Sequence, residues 1–203
     1  MNPRLVVVTD PMCSWCFAAS RHVESAMAAF AGRVDFDLIL GGINTHATQA
    51  IGEYGQKRLD GLWHQVTATT GQEFSHIFPE GCIYNSLLPC RAVEAARDLL
   101  GQPPLDYLHR LQKCFFLEAI NINDRDVLAS EAAEFGIDAD DFLRRLDSAE
   151  VATRTQWGFA RSRRQGAGAL PSFLFGRGDD VTLMAGGYLD TEFLCAEIEA
   201  RLA

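Results

Sequence analysis

The chain has 203 residues, of which 48% are hydrophobic and 22% charged. This length allows one sizeable core, with or without an inserted subdomain, and the composition excludes a disordered chain. The 27 acidic and 18 basic side chains give a net charge of −9, which disfavours partners such as nucleic acid or an anionic membrane surface. The six cysteines are too few for a scaffold built from disulfides.

The first apolar run is too short for a secretory signal. Residues 5–8 (Leu-Val-Val-Val) are followed at once by Thr9 and Asp10, whereas a signal peptide needs about 7–15 apolar residues. No other segment approaches the roughly 20 apolar residues of a membrane helix. We therefore expect a cytoplasmic protein, in which cysteines are more often catalytic, metal-binding or inert than disulfide-bonded.

The chain begins with a pattern typical of a βαβ unit. Residues 5–8 predict a buried strand, residues 14–30 an amphipathic helix closed by Gly32, and the alternating residues 34–40 a second strand. The middle of the chain is helical, with Asp124 and Asp138 as N-caps. The helices predicted there span residues 52–70, 86–100, 104–119, 124–136, 138–149 and 150–165.

Strand signals return near the end of the chain. Residues 172–175 and 181–185 predict a hairpin, and Asp190 is the expected N-cap of a last helix. The order indicates an α/β fold in which an all-helical domain interrupts a sheet domain. The predicted sheet domain comprises residues 1–42 and 166–203, and the predicted insertion comprises residues 43–165.

Cys13-Ser14-Trp15-Cys16 lies where the first strand meets the first helix. Two cysteines three residues apart share one face of a helix and can form either a dithiol or a disulfide. Unpaired N–H groups and the positive end of the helix dipole stabilise a thiolate at the first position, and a thiolate is the nucleophile of disulfide exchange. We predict that Cys13, at an exposed lip, attacks the substrate, and that Cys16, one turn further in, resolves the mixed disulfide.

Zinc binding and inert packing are the alternatives for this cysteine pair. A structural zinc site needs a second pair of ligands, and no two of the five histidines stand three to five residues apart. We therefore predict no metal ligands and assign the histidines no role. Cys82 and Cys90 are predicted to be separate thiols, with a second redox pair left open, while Cys114 and Cys195 are predicted to lie in the core.

Three stretches resemble the DsbA-like branch of the thioredoxin superfamily, and most closely the FrnE-type disulfide oxidoreductases. They are residues 9–16 (Thr-Asp-Pro-Met-Cys-Ser-Trp-Cys), 111–118 with 120–124, and 169–173 (Ala-Leu-Pro-Ser-Phe). The resemblance implies a thioredoxin fold with an inserted helical domain. It also implies a cis peptide bond before Pro171 and backbone groups of Leu170 that hold a substrate strand.

The dipeptide between the cysteines favours reductase or isomerase activity over dedicated oxidation. Strongly oxidising relatives carry Pro-His where this chain has Ser14 and Trp15, and without the histidine the thiolate is stabilised less. We therefore expect a disulfide reductase or isomerase that acts on protein or peptide thiols and disulfides. Trp15 is expected to be partly exposed and to contact apolar substrate, in an active-site loop completed by Pro11, Met12 and Ser14.

Two other functions remain open at this point. Kappa-class glutathione transferases and hydroxychromene-carboxylate isomerases resemble this family but typically carry serine at the position of Cys13. A binding module could instead use the Trp15 surface without any redox chemistry. The expected enzyme needs no metal or organic cofactor, although glutathione is a possible cosubstrate.

Overall fold

The computed structural model describes residues 2–203, which form four strands and eight helices. In chain order the elements are β1 (Arg4–Thr9), α1 (Ser14–Ala29), β2 (Asp35–Leu40), α2 (Glu53–Thr70), α3 (Leu87–Leu100), α4 (Leu105–Phe116), α5 (Arg125–Ala133), α6 (Ala139–Leu146), α7 (Ala149–Arg164), β3 (Ser172–Arg177), β4 (Asp180–Gly186) and α8 (Thr191–Leu202). The α/β class and the predicted order of elements are confirmed. The predicted domain boundaries, at residues 42/43 and 165/166, stay a prediction.

The four strands form one sheet in the order β2-β1-β3-β4. β1 pairs in parallel with β2 and antiparallel with β3, and β3 and β4 form an antiparallel hairpin. Both faces of β1 are covered: Leu5 and Val7 join the large core, whereas Val6 and Val8 pack in a smaller cluster on the opposite face. A strand covered on both faces needs a continuous apolar sequence, which explains the unbroken run at residues 5–8.

Side-chain caps set several helix ends. Asp124, Asp138 and Asp190 each accept a hydrogen bond from the backbone of the following helix, which confirms the three predicted N-caps. Ser148 caps α7 in the same way. Because Ser148 starts a new helix, α6 ends at Leu146 rather than at the predicted residue 149.

The helix α4 is shorter than predicted. It ends at Phe116 instead of residue 119, and Ala119 adopts a left-handed conformation with a φ of 53°. The Ile120 N–H donates to the Cys114 carbonyl across this turn. The apolar pattern continues past the helix, and for that reason hydrophobic spacing alone placed its end too late.

A group of stacked rings, here called the Trp63 cluster, lies where α2 and α4 meet the loop between α2 and α3. Trp63 is 1% exposed, and its ring centroid lies 4.5 Å from that of Phe78 and 5.5 Å from that of Phe74. The other members of the cluster are Phe115 and Phe116. These rings fix the loop against the two helices, because aromatic side chains bury much apolar area in defined geometries.

Gly42 forms the turn that leaves β2. Its φ is 77°, and a Cβ built there would lie 2.9 Å from the ring of Phe159. Both facts exclude a side chain, since left-handed φ values are strained for L-residues and the buried ring of Phe159 leaves no room. The Gly42 N–H also donates to Asp10 Oδ2 at 3.0 Å.

Gly42→Ala is expected to lower the free energy of unfolding by about 3 kcal/mol, the combined cost of backbone strain and overpacking. Gly32→Ala is the matched control, because Gly32 has a φ of 78° but no atom within 4 Å of a built Cβ. Strain alone predicts a loss of about 1 kcal/mol there. Urea denaturation measures both variants, and equal losses would contradict the role given to Phe159.

Candidate active site

Cys13 is the N-cap residue of α1. Its backbone is extended, with φ −93° and ψ 112°, and its Sγ accepts a hydrogen bond from the Cys16 N–H at 3.3 Å. A turn after β1 places Cys13 at this position, and in that turn the Cys13 N–H donates to the Asp10 carbonyl at 3.2 Å. The Cys13 sulfur therefore takes the place of a capping oxygen, where N–H groups and the helix dipole favour negative charge.

The two cysteines are more enclosed than expected. Cys13 is 7% exposed and Cys16 is 3% exposed, so the predicted exposed lip is wrong for Cys13. The carbonyl oxygen of Leu170 lies 3.7 Å from Cys13 Sγ and accepts a hydrogen bond from the thiol. The loop that carries Leu170 covers the Cys13 sulfur. This contact could not be predicted from the sequence around Cys13, because Leu170 is 157 residues away.

The Leu170–Pro171 peptide bond is cis, as predicted. Pro171 is buried, and its carbonyl accepts from the Gly187 N–H at 2.8 Å. The Leu170 side chain occupies the space above Gly41, where a Cβ would lie 2.6 Å from Leu170 Cδ1. This loop and the cysteine pair, far apart in the sequence, thus meet at the carboxyl end of β1.

Burial raises the pKa of the Cys16 thiol well above its usual value, and the neighbouring Cys13 sulfur raises it further. Cys16 therefore stays protonated in the dithiol. A protonated thiol next to the sulfur that caps α1 is the arrangement expected of a resolving cysteine, because the thiolate and not the thiol attacks a substrate disulfide.

Trp15 is half-buried, and its ring lies 6.1 Å from that of Tyr188. The Tyr188 hydroxyl is 2.9 Å from His22 Nε2, and His22 Nδ1 accepts from the Thr191 N–H at 3.1 Å. Burial lowers the pKa of His22 below its usual value. Sequence reasoning missed Tyr188 and His22, because nothing in the local pattern of either residue marks it as a neighbour of Trp15.

The active-site loop rests on internal contacts. Pro11, Met12 and Ser14 are all buried, and Met12 is 0% exposed. The Met12 carbonyl accepts from the Tyr84 hydroxyl at 2.9 Å. Pro11 and Met12 lie in the loop between β1 and α1, whereas Ser14 is the first residue of α1, and Met12 anchors the loop through Tyr84. The role of these three residues at the active site stays a prediction.

Asp10 lies beneath the loop and is fully buried. Its Oδ1 accepts from the Met12 N–H at 2.8 Å, and its Oδ2 accepts from the Gly42 N–H and from the Ser86 hydroxyl, at 3.0 and 2.7 Å. The Cys90 thiol also donates to Oδ2, at 3.5 Å. Burial raises the pKa of the Asp10 carboxyl, although these four hydrogen bonds oppose the shift. The sequence marked Asp10 only as the end of a strand, and its partners lie up to 80 residues away.

The remaining cysteines are free thiols. Cys82 and Cys90 are both buried, and burial raises the pKa of Cys82 to about 11 and that of Cys90 well above its usual value. Whether these two cysteines form a second redox pair stays an open expectation. Cys114 is in the core as predicted, whereas Cys195 is only half-buried because its side of α8 faces outward.

Comparison with solved structures places this geometry among disulfide-exchanging proteins. A Nitrosomonas europaea protein, provisionally described as a protein disulfide isomerase, matches the whole chain over 98% of its own length, with a TM-score of 0.90 and 26% identity. The cytosolic disulfide reductase DsbM from Pseudomonas aeruginosa is 25% identical, with a TM-score of 0.79 over 98% of both chains. The chain is a DsbA-like protein of the thioredoxin superfamily.

Other comparisons add detail on this DsbA-like chain. A structure of DsbM with GSH superposes with a TM-score of 0.77. The ClpXP adapter protein SpxH from Halalkalibacterium halodurans is 25% identical over 171 residues, which are 82% of the chain and 56% of that relative. A scan against protein-family models finds no match. These findings support the DsbA-like branch and leave the FrnE-type subgroup as an expectation.

The thioredoxin fold of the DsbA-like chain is also found in a 2-hydroxychromene-2-carboxylate isomerase, with a TM-score of 0.64 and 16% identity. At that identity the likeness shows the fold alone. Within residues 2–203, no helix is both long and apolar enough to cross a lipid bilayer.

Proposed function

We propose that the protein is a thiol–disulfide oxidoreductase that works as a disulfide reductase or isomerase, with Cys13 as the attacking and Cys16 as the resolving residue. One observation carries the proposal. The Cys13 sulfur caps α1 through the Cys16 N–H and faces the Leu170 carbonyl beside the cis peptide bond. The disulfide isomerase and disulfide reductase descriptions of the two most similar solved structures reported above support the same chemistry.

The reaction consists of two exchange steps. The Cys13 thiolate attacks one sulfur of the substrate disulfide, so that a mixed disulfide forms and the first substrate thiolate leaves. Cys16 then loses its proton and attacks the Cys13 sulfur, which forms the Cys13–Cys16 disulfide and releases the second substrate thiolate. Two electrons pass to the substrate. Two equivalents of a thiol such as glutathione restore the dithiol and become one disulfide.

The surroundings of Cys13 favour an extended polypeptide as substrate. The Leu170 carbonyl beside the sulfur offers a backbone acceptor, and strand addition of this kind is independent of the side chains of the substrate. Trp15 and Tyr188 provide an aromatic surface at the same site. Pro171 fixes the loop that presents Leu170.

Glutathione is the reductant that we propose, and the cytoplasm is the proposed location. The support for both is the likeness to DsbM, which is described as cytosolic and has been solved with GSH. The absence of histidine from Ser14-Trp15 supports net reduction or isomerisation, since a less stabilised thiolate gives a less oxidising disulfide.

The competing function, glutathione-dependent isomerisation or transfer, has weaker support. It uses one nucleophile, whereas this chain places a second thiol next to the first. Turnover of a small-molecule substrate that survives Cys16→Ser would favour that alternative.

A glutathione redox titration, followed by alkylation and mass analysis, tests the proposal. We expect one reversible two-electron transition confined to Cys13 and Cys16, between about −270 and −120 mV, the span of thioredoxin-fold catalysts. Cys16→Ser should accumulate a mixed disulfide on Cys13, because the resolving thiol is lost. The control Cys195→Ser changes a half-buried residue of α8 and should show the same redox transition as wild type. A cysteine pair that stays reduced throughout the titration would contradict the proposal.

A further inference from the structure

Two histidines and one aspartate meet on the outer side of α2. Asp60 and His64 are four residues apart on this helix, so their side chains share one face. His76 lies in the loop that follows and folds back onto the same face. One ligand atom from each of the three residues lies within 4.8 Å of the other two.

The three side chains already contact one another. His76 Nδ1 is 2.6 Å from Asp60 Oδ1, and His64 Nδ1 is 3.5 Å from Asp60 Oδ2. The centroids of the two imidazole rings are 4.2 Å apart. One carboxylate thus lies between two imidazoles at the surface.

The backbone holds His76 in place at a conformational cost. Its φ is 59°, a left-handed value that is uncommon for residues other than glycine, although histidine adopts it more often than most. The preceding residue fixes the loop, because the Ser75 N–H donates to the Phe116 carbonyl at 2.8 Å. The His76 ring lies 6.1 Å from the ring of the buried Trp63. The loop therefore holds the His76 imidazole against α2, next to the buried ring of Trp63.

We propose that Asp60, His64 and His76 form a binding site for a divalent transition metal ion of the zinc type. Two imidazole nitrogens and one carboxylate oxygen suit such ions, and water completes the coordination. Ligand atoms about 2 Å from a zinc ion lie roughly 3–3.5 Å from one another. His64 Nδ1 lies 2.9 Å from the Asp60 carbonyl oxygen, and a turn of this 66% exposed side chain that breaks this contact would close the gap.

Metal binding would replace an existing hydrogen bond. The proton on His76 Nδ1, which Asp60 accepts, moves through solvent to Nε2 of the same ring, so that Nδ1 and the Asp60 oxygen offer their lone pairs to the ion and the imidazole stays neutral. The ion then links α2 to the loop at residues 71–86. Because the ion binds the folded arrangement, it raises the melting temperature, and above saturation the rise grows with the logarithm of the ion concentration.

Calorimetric titration of the untagged, oxidised protein with Zn²⁺ alone tests the site, since oxidation removes the Cys13–Cys16 dithiol as a competing ligand. We expect one equivalent of zinc to bind with micromolar affinity and to raise the melting temperature. The Co²⁺ complex should show d–d absorption without a sulfur-to-metal charge-transfer band. No binding by the oxidised protein, or a sulfur charge-transfer band, would overturn the proposal.

His76→Ala and His64→Ala should each weaken zinc binding at least tenfold, and Asp60→Asn gives an independent third variant. All three residues are near the surface, so the metal-free melting temperatures should stay close to wild type. His46→Ala, in an exposed loop outside the cluster, is the matched control and should bind zinc as wild type does. Unchanged binding by both histidine variants would refute the site whatever the fate of the redox activity.

Discussion

Cys13→Ser is expected to lower kcat/KM for the reduction of insulin disulfides by glutathione at least about a thousandfold. A serine hydroxyl remains protonated at neutral pH and cannot form the mixed disulfide. The fold should survive, because serine is a preferred N-cap and can accept the same hydrogen bond from the Cys16 N–H. The free energy of unfolding should therefore change by less than about 1 kcal/mol.

Matched measurements separate loss of chemistry from loss of structure. Cys195→Ser changes a half-buried thiol in α8 and should keep full activity. Denaturation curves of Cys13→Ser and Cys195→Ser should both overlay the wild-type curve. Retention of most of the activity in Cys13→Ser would show that the catalytic sulfur lies elsewhere in the chain.

Asp10→Ala is expected to cost about 3 kcal/mol of stability at about pH 6, as large an effect on folding as that of Gly42→Ala. The substitution leaves the Met12 N–H, the Gly42 N–H and the Ser86 hydroxyl without their acceptor in the interior. Urea denaturation measures the loss. Asp179→Ala, in an exposed turn, is the control and should stay within about 0.5 kcal/mol of wild type.

The pH dependence of this loss has a defined sign. Burial raises the pKa of Asp10 in the folded protein, so the folded state binds its proton more tightly than the unfolded state does. The stability that this proton provides is complete below about pH 4, the ordinary aspartate value, and is lost as pH rises through the raised pKa. The advantage of wild type over Asp10→Ala should therefore shrink with rising pH. A growing advantage would mean that the hydrogen bonds outweigh burial.

Local interactions made most of the fold predictable. The N-caps at Asp124, Asp138 and Asp190 depend on side chains within three residues of the bonds they make. The apolar run of β1 results from burial on both faces, and such a run can be recognised from the sequence of the strand alone. The end of α4 was missed because a left-handed residue, Ala119, interrupts an apolar pattern that does not change there.

The site was predictable only in part, because its cysteine pair is a local sequence feature whereas its surroundings come from residues far apart in the sequence. The spacing of Cys13 and Cys16 and their place before a helix are local features. The burial of Cys13 under the Leu170 carbonyl joins positions 157 residues apart. Asp10 and the cluster around His76 were missed for the same reason, since their partners come from other helices and loops.

The position of β1 in the sheet has a consequence for how the protein is made. β1 is hydrogen-bonded to β2 on one edge and to β3 on the other, yet six helices lie between β2 and β3 in the chain. A ribosome therefore releases β1 and β2 long before β3 exists, and one edge of the most apolar strand has no partner during that interval. The helices that separate them must be synthesised first, so closure of the sheet is a late event that follows nearly complete translation.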